Sequence, residues 1–172
     1  TGIVVTDSLP AGVAYVAQST AAVGASAITK QVKDTFATQS YSRQDGADNW
    51  ETNWVESDPS GSSASSGRIY ISGGQLRLSD TPDSGQEPNI AREVDLSGYS
   101  SATLSFDWET PSGVDSDDGV VVEISSNGGG SYTILESFVG YSGANSGSRS
   151  YNIDGYVSAD TKVRFRVILN YG

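Results

Sequence analysis

Two-residue alternation of apolar and polar side chains runs through this chain, and helical periodicity is nearly absent from it. A period of two sends successive side chains to opposite faces of a strand, so such runs build half-buried β-sheet. Within 102–109, Leu104, Phe106 and Trp108 fall on one face, against Ser105, Asp107 and Glu109. Residues 162–169 set Val163, Phe165, Val167 and Leu169 against Lys162, Arg164 and Arg166. Residues 68–72 and 75–78 alternate around Gly73-Gly74, a dipeptide suited to a two-residue hairpin turn. Gly119–Ser125 is almost continuously apolar, the pattern of a central strand. Turn-forming clusters at 58–59, 61–67, 80–88, 111–118, 127–130 and 140–147 separate the runs. The pattern predicts an all-β chain folded as an antiparallel β-sandwich.

Composition narrows the function. Asp and Glu number 21 against 10 Lys and Arg, giving a net charge of −11 and a pI near 4.2. Phosphate backbones repel such a chain, so nucleic acid is not an expected partner. Membrane insertion is not expected either, because no apolar run approaches the ~18 residues of a spanning helix. Without His or Cys the chain lacks Ser-His-Asp and Cys-His chemistry and the usual zinc and copper ligands. The Gly, Ser, Thr, Asp and Tyr content suits an extracellular or cell-surface β-protein of bacterial type. With no Met in 172 residues, the sequence is expected to be part of something longer.

Composition also shifts near residue 33. Residues 2–17 form two strand-like runs around Leu9-Pro10-Ala11-Gly12, and a stretch of small residues follows. Asp34-Thr35-Phe36 then opens the longer part, dividing the chain into 1–33 and 34–172. The stretch Val5-Thr6-Asp7-Ser8-Leu9-Pro10-Ala11-Gly12-Val13-Ala14-Tyr15-Val16 resembles the middle of an Ig-like repeat of large bacterial surface proteins. About half of such a repeat is present. Residues 34–172 resemble a jelly-roll module of secreted bacterial proteins, distantly similar to MAM-type domains. Asp34-Thr35-Phe36, Asn49-Trp50, Asn53-Trp54, 67–78, 94–99, 102–108, 117–130 and 163–167 carry that likeness, in the expected order. It implies a jelly roll without catalysis, with relatives that bind calcium or glycans, and one further strand beyond Tyr171-Gly172. Ser125-x-Asn127-x-Gly129-x-x-Tyr132 resembles an Asp-box hairpin, a self-bonded turn that identifies no activity. Two Gly-Tyr turns, at 95–102 and 153–159, echo each other ahead of alternating strands.

Candidate sites follow from side-chain chemistry. Asp115, Asp117 and Asp118 crowd a Gly-flanked loop, and Ca²⁺ takes six to eight oxygens of the kind such loops supply. The alternative is a solvated acidic loop. Asp45 and Asp48, near Asp34 in sequence, form a second oxygen-rich candidate, by analogy with the calcium sites of jelly rolls. Asp107, Glu109 and Glu123 raise the paired carboxylates of glycoside hydrolysis, against the plainer expectation of cross-strand pairing with Arg164, Arg166 or Arg77. Trp50 and Trp54, with Tyr41, Tyr70 and Tyr141, suggest either a sugar-stacking platform or packing, and Trp108 reads as core.

The expected function is a non-catalytic structural or adhesive module. A half-repeat cannot cover Ile3, Val5, Leu9, Val13 and Val16, and an uncovered sheet edge invites another chain. Exchange of a strand between copies, head to tail, makes a homopolymer or filament. The alternative is a carbohydrate-binding module of a secreted multidomain hydrolase, with Trp50 and Trp54 on the glycan.

Overall fold

A computed structural model describes residues 29–79, 87–112, 119–140 and 143–168. Of these, 44% lie in strands and 2% in helix, so the chain is all-β. The strands in chain order are β1 Val55–Ser57, β2 Ile69–Ser72, β3 Gln75–Leu78, β4 Asn89–Val94, β5 Thr103–Thr110, β6 Gly119–Ser125, β7 Thr133–Val139, β8 Asn145–Asn152 and β9 Thr161–Ile168. Every pairing between them is antiparallel. Residues 1–28, with the whole of the Ig-like stretch, lie outside the described residues, as do Asp115, Asp117, Asp118, Tyr141 and Leu169.

One layer is a five-stranded sheet in the order β1-β4-β9-β6-β7. Its inner face is written by alternation: Ile90 pairs with Phe165, Val122 with Phe165, Ile124 with Val163 and Val120 with Val167. The facing layer consists of two separate pairs, β2-β3 and β5-β8. Phe106 of β5 packs edge-on to Phe165 at 5.5 Å, and Trp108 meets Phe138 at 4.9 Å. Ile69 of β2 is fully buried with Ile90 and Trp54, and Leu76 and Leu78 of β3 pack beside them. The result is an antiparallel β-sandwich.

Local chemistry explains the connections. Gly73 and Gly74 both take positive φ, 63° and 77°, as a two-residue hairpin between β2 and β3 demands. The β6-β7 turn is bonded to itself: Ser125 Oγ accepts the amides of Asn127 and Gly129, and Asn127 Oδ1 accepts that of Ser131. A register shift between Val122 and Glu123 then makes β7 bulge, so that Glu136 lies opposite Val122 and Ile134 opposite Glu123. The bulge sends Leu135 to the core while Ile134 is left exposed.

The two echoing turns meet at one end of the sandwich. Ile153 N donates to Ala102 O, Ala102 N donates to Asp154 Oδ1, and Leu96 N donates to Ser158 O. Leu96 and Ile153 plug the core there. Their glycines differ, since Gly98 has a φ of 89° whereas Gly155 sits in the 3-10 turn Asp154–Tyr156.

One sequence expectation is corrected. The stretch 140–147 reads as a turn, yet β8 begins at Asn145 and pairs with β5 through to Asn152. Its serines all face outward, and Gly147, Arg149 and Tyr151 take the inner positions, so no apolar run announces the strand.

Candidate functional site

Among the described residues, several of the sequence-predicted candidates surround a group that the sequence pattern does not single out, Arg92. On β4, alternation carries Ile90, Arg92 and Val94 to the inner face, where Arg92 lies opposite Val163. A guanidinium there must be paired and hydrogen-bonded or its desolvation would unfold the layer. Arg92 is 0% exposed, and each of its nitrogens has an acceptor. Nε donates to Thr52 O at 2.9 Å, Nη1 to Asp34 Oδ2 at 2.8 Å and Nη2 to Arg43 O at 2.6 Å. The Asp34 side chain is 2% exposed. Its Oδ2 also accepts the Trp54 indole N–H at 3.0 Å, and its Oδ1 accepts the Phe36 amide at 2.8 Å. Burial lowers the Arg92 pKa, opposed by the charge and hydrogen bond of Asp34.

Both candidate tryptophans belong to this cluster. The guanidinium carbon lies 5.0 Å from the Trp50 ring centre and 5.7 Å from that of Trp54. The rings tilt against each other at 6.0 Å, and Trp54, 6% exposed, also packs on Phe36 and Phe165. Trp50 is half-buried, and its indole N–H is buried without a hydrogen-bond partner. Phe36 adopts φ 52°, a left-handed conformation unusual for a bulky side chain. The Asp34–Phe36 bond and the Trp54 contact hold it there.

The other early carboxylates clip the chain to itself. Asp45 Oδ2 accepts the Thr35 amide at 2.9 Å and its hydroxyl at 2.8 Å, and Arg43 pairs with the same carboxylate. Led by the Thr35 amide bond and then Arg43, these pull the Asp45 carboxyl down to about 2. Asp48 Oδ2 accepts the Gln31 amide at 2.7 Å, while the amides of Asp45 and Asp48 donate to Lys33 O and Gln31 O. Gly46 makes this approach possible, because a Cβ there would sit 2.3 Å from Gln31 O. Asp34, Asp45 and Asp48 are thus all hydrogen-bond acceptors for neighbouring chain. Among the described residues no three acidic groups gather in a way that could hold a metal.

The carboxylates weighed for hydrolysis each accept from neighbouring donors. Glu123, on the outer face of the five-stranded sheet, pairs with Arg164 at 2.6 Å and Arg166 at 2.8 Å. Arg166 also reaches Glu87, and Arg164 stacks on Tyr132 at 3.6 Å. Burial pushes the Glu123 carboxyl up, but its two arginines outweigh that and leave it below the ordinary value. Asp107 accepts from Ser148 at 2.6 Å, and Glu109 from Gln75 at 2.7 Å. Arg77 bonds instead to Ser72 O and Gln75.

Two further clusters escaped the sequence reading. Glu136 of β7 accepts both Arg149 Nε, at 2.8 Å, and the Tyr151 hydroxyl, tying the two layers together at one side. Arg149 lies over the rings of Trp108 and Phe138, 5.3 Å from each centre. Elsewhere the Tyr41 hydroxyl donates to Glu56 Oε2 at 2.7 Å, and that oxygen also accepts the Ser63 amide at 2.9 Å. Desolvation raises the Glu56 carboxyl above its ordinary value, and Asp58 nearby adds to the effect. Only their positions opposite apolar strand residues could have marked Arg92 and Arg149 in advance. Compared with known proteins, the chain matches no family model, no curated protein and no solved structure.

Proposed function

We propose that this chain is a non-catalytic extracellular module, a jelly roll that builds a surface structure by exchanging strands with copies of itself. The observation that carries this reading is the split second layer: among the described residues two strand pairs that are not joined face one continuous sheet of five. Such pairs present backbone edges, and a strand from another copy is the simplest thing to fill them. The engagement of Asp34, Asp45, Asp48, Glu123 and Glu136 by neighbouring donors favours a scaffold over an active site. Calcium at Asp115, Asp117 and Asp118 would add to its stability by binding the folded form alone.

Sedimentation of the purified chain over a range of concentrations, with electron microscopy of the product, tests the reading. Growth into oligomers or filaments is the expected result, and a monomer at every concentration overturns it. Saturable binding to a polysaccharide, abolished by Trp50→Ala, would replace it with the carbohydrate-binding reading. EDTA is expected to lower the Tm, and an unchanged Tm removes calcium from the account.

A further inference from the structure

Among the described residues β3 and β5 are not hydrogen-bonded to each other as strands, and the exposure between them has a direction. Ile69 and Ile71 on β2 are 0% and 1% exposed. One strand further on, Leu76 and Leu78 of β3 are only partly buried, and so are Leu104 and Phe106 across the gap on β5. Phe165 belongs to β9, which has neighbours on both sides, yet it too is only partly buried, while Val163 and Val167 beside it on the same face are 3% exposed. Apolar burial therefore thins along one line, floored by Phe165 and walled by β3 and β5. Paired strands lie ~4.8 Å apart, so a slot for one more strand separates its walls by roughly twice that. Gln75 reaches Glu109 across the opening through side chains alone, Nε2 to Oε1 at 2.7 Å. Among the described residues β5 has β8 as its strand partner and β3 has β2, leaving an edge of each toward the slot.

We infer that this slot is the acceptor site for a strand formed by residues 2–6 of a second copy of the chain, an inference that rests on the exchange reading above. The described strands all come from residues 55–168, so the run Gly2-Ile3-Val4-Val5-Thr6 is not used by them. It is uncharged, free of Pro and rich in β-branched residues, the composition of a buried strand. Alternation then sets its orientation. Ile3 and Val5 cover Phe165, Leu76 and Phe106, while Val4 and Thr6 lie on the outer surface beside Ser105.

The natural absence of cysteine makes a disulfide test free of background. Full-length chains carrying Ser105→Cys are mixed with full-length chains carrying one of Ile3→Cys, Val4→Cys, Val5→Cys or Thr6→Cys, then oxidised and resolved without reductant. Ser105 is exposed on β5, so its replacement leaves the core untouched. Mixed dimers are expected with Val4→Cys and Thr6→Cys and are expected to be lost with Ile3→Cys and Val5→Cys. Oligomers that form without any of these cross-links overturn the slot and leave the exchange reading standing. A chain that stays monomeric and uncross-linked overturns both. A chain bearing both Ser105→Cys and Val4→Cys that closes only on itself shows the slot filled by its own strand, and overturns exchange between copies.

Discussion

Two arginines on the inner side of this sandwich, each with a carboxylate and a pair of aromatic rings, are built alike and buried differently. Arg92 and Asp34 have side-chain exposures of 0% and 2%, and Arg149 and Glu136 have 29% and 25%. Both ion pairs measure 2.8 Å. Trp50 and Trp54 flank the first cation, and Trp108 and Phe138 the second. Solvent decides what each can contribute. Water screens the Arg149 pair and can replace either partner, whereas around Arg92 only protein atoms satisfy the charge. The buried cluster therefore fixes where the early segment lies, since Thr52 O, Arg43 O and Asp34 all converge on one guanidinium.

Breaking the buried side of the comparison has the largest expected effect. Arg92→Met keeps the length and removes the charge, stranding Asp34 in an apolar layer. Losing one partner of a buried pair costs about 3–5 kcal/mol, so the urea midpoint is expected to fall steeply. Arg92→Met combined with Asp34→Leu removes both charges and is expected to recover much of that loss, as buried pairs replaced by apolar residues often do. A double variant no more stable than Arg92→Met alone would show that the hydrogen bonds to Thr52 and Arg43 matter more than the pairing.

Much of the framework is legible in the sequence, because alternation and burial coincide in β3, β5 and β9, and the continuous apolar run of β6 is continuously buried. Gly73-Gly74 likewise announces its hairpin. Legibility fails where a polar residue takes an inner position. Arg92 interrupts the apolar face of β4, and Gly147 and Arg149 do the same in β8, so neither reads as a strand facing a core. The bulge in β7 defeats alternation directly, since Leu135 and Glu136 are adjacent in sequence and both turn toward the interior. Asp34, Trp50 and Trp54 stand out by type, but the cation that joins them lies some 40 to 60 residues away and is fixed by register. Only pairing of β4 with β9 brings it there.

Acid sharpens the comparison next. Asp45 titrates at about 2 in the folded chain against an ordinary 3.8. A depressed folded pKa stabilises above the unfolded value, and that contribution is lost as pH falls through the folded one. Asp45→Asn is therefore expected to trail the natural chain at neutral pH and to converge with it as pH drops from about 4 toward 2. Glu136 carries the same sign. Burial pushes its carboxyl up, but Tyr151 and Arg149 outweigh that and leave it low. Thermal melts in steps across this range check both, and Asp45→Asn curves parallel to the natural chain's at every pH would remove the Asp45 clip from the account.

The smallest expected effect belongs to Arg149. A partly exposed pair contributes about 0–1 kcal/mol, and cation–π contact at such sites adds about 0.5–1. Arg149→Met retains an unbranched chain able to lie on Trp108 and Phe138, so packing is largely kept and the charge term is isolated. Glu136, left behind by the substitution, still accepts the Tyr151 hydroxyl and can hydrate, which keeps the loss small. Salt provides the discriminating measurement. The Debye length falls from ≈10 Å at 0.1 M to 3 Å at 1 M, so the difference between natural chain and Arg149→Met is expected to shrink across that range. The difference between natural chain and Arg92→Met should persist, because ions do not reach a fully buried pair. Equal salt sensitivity of the two differences would mean that solvent reaches Arg92 in solution, and the distinction between the clusters would then be one of geometry rather than of burial.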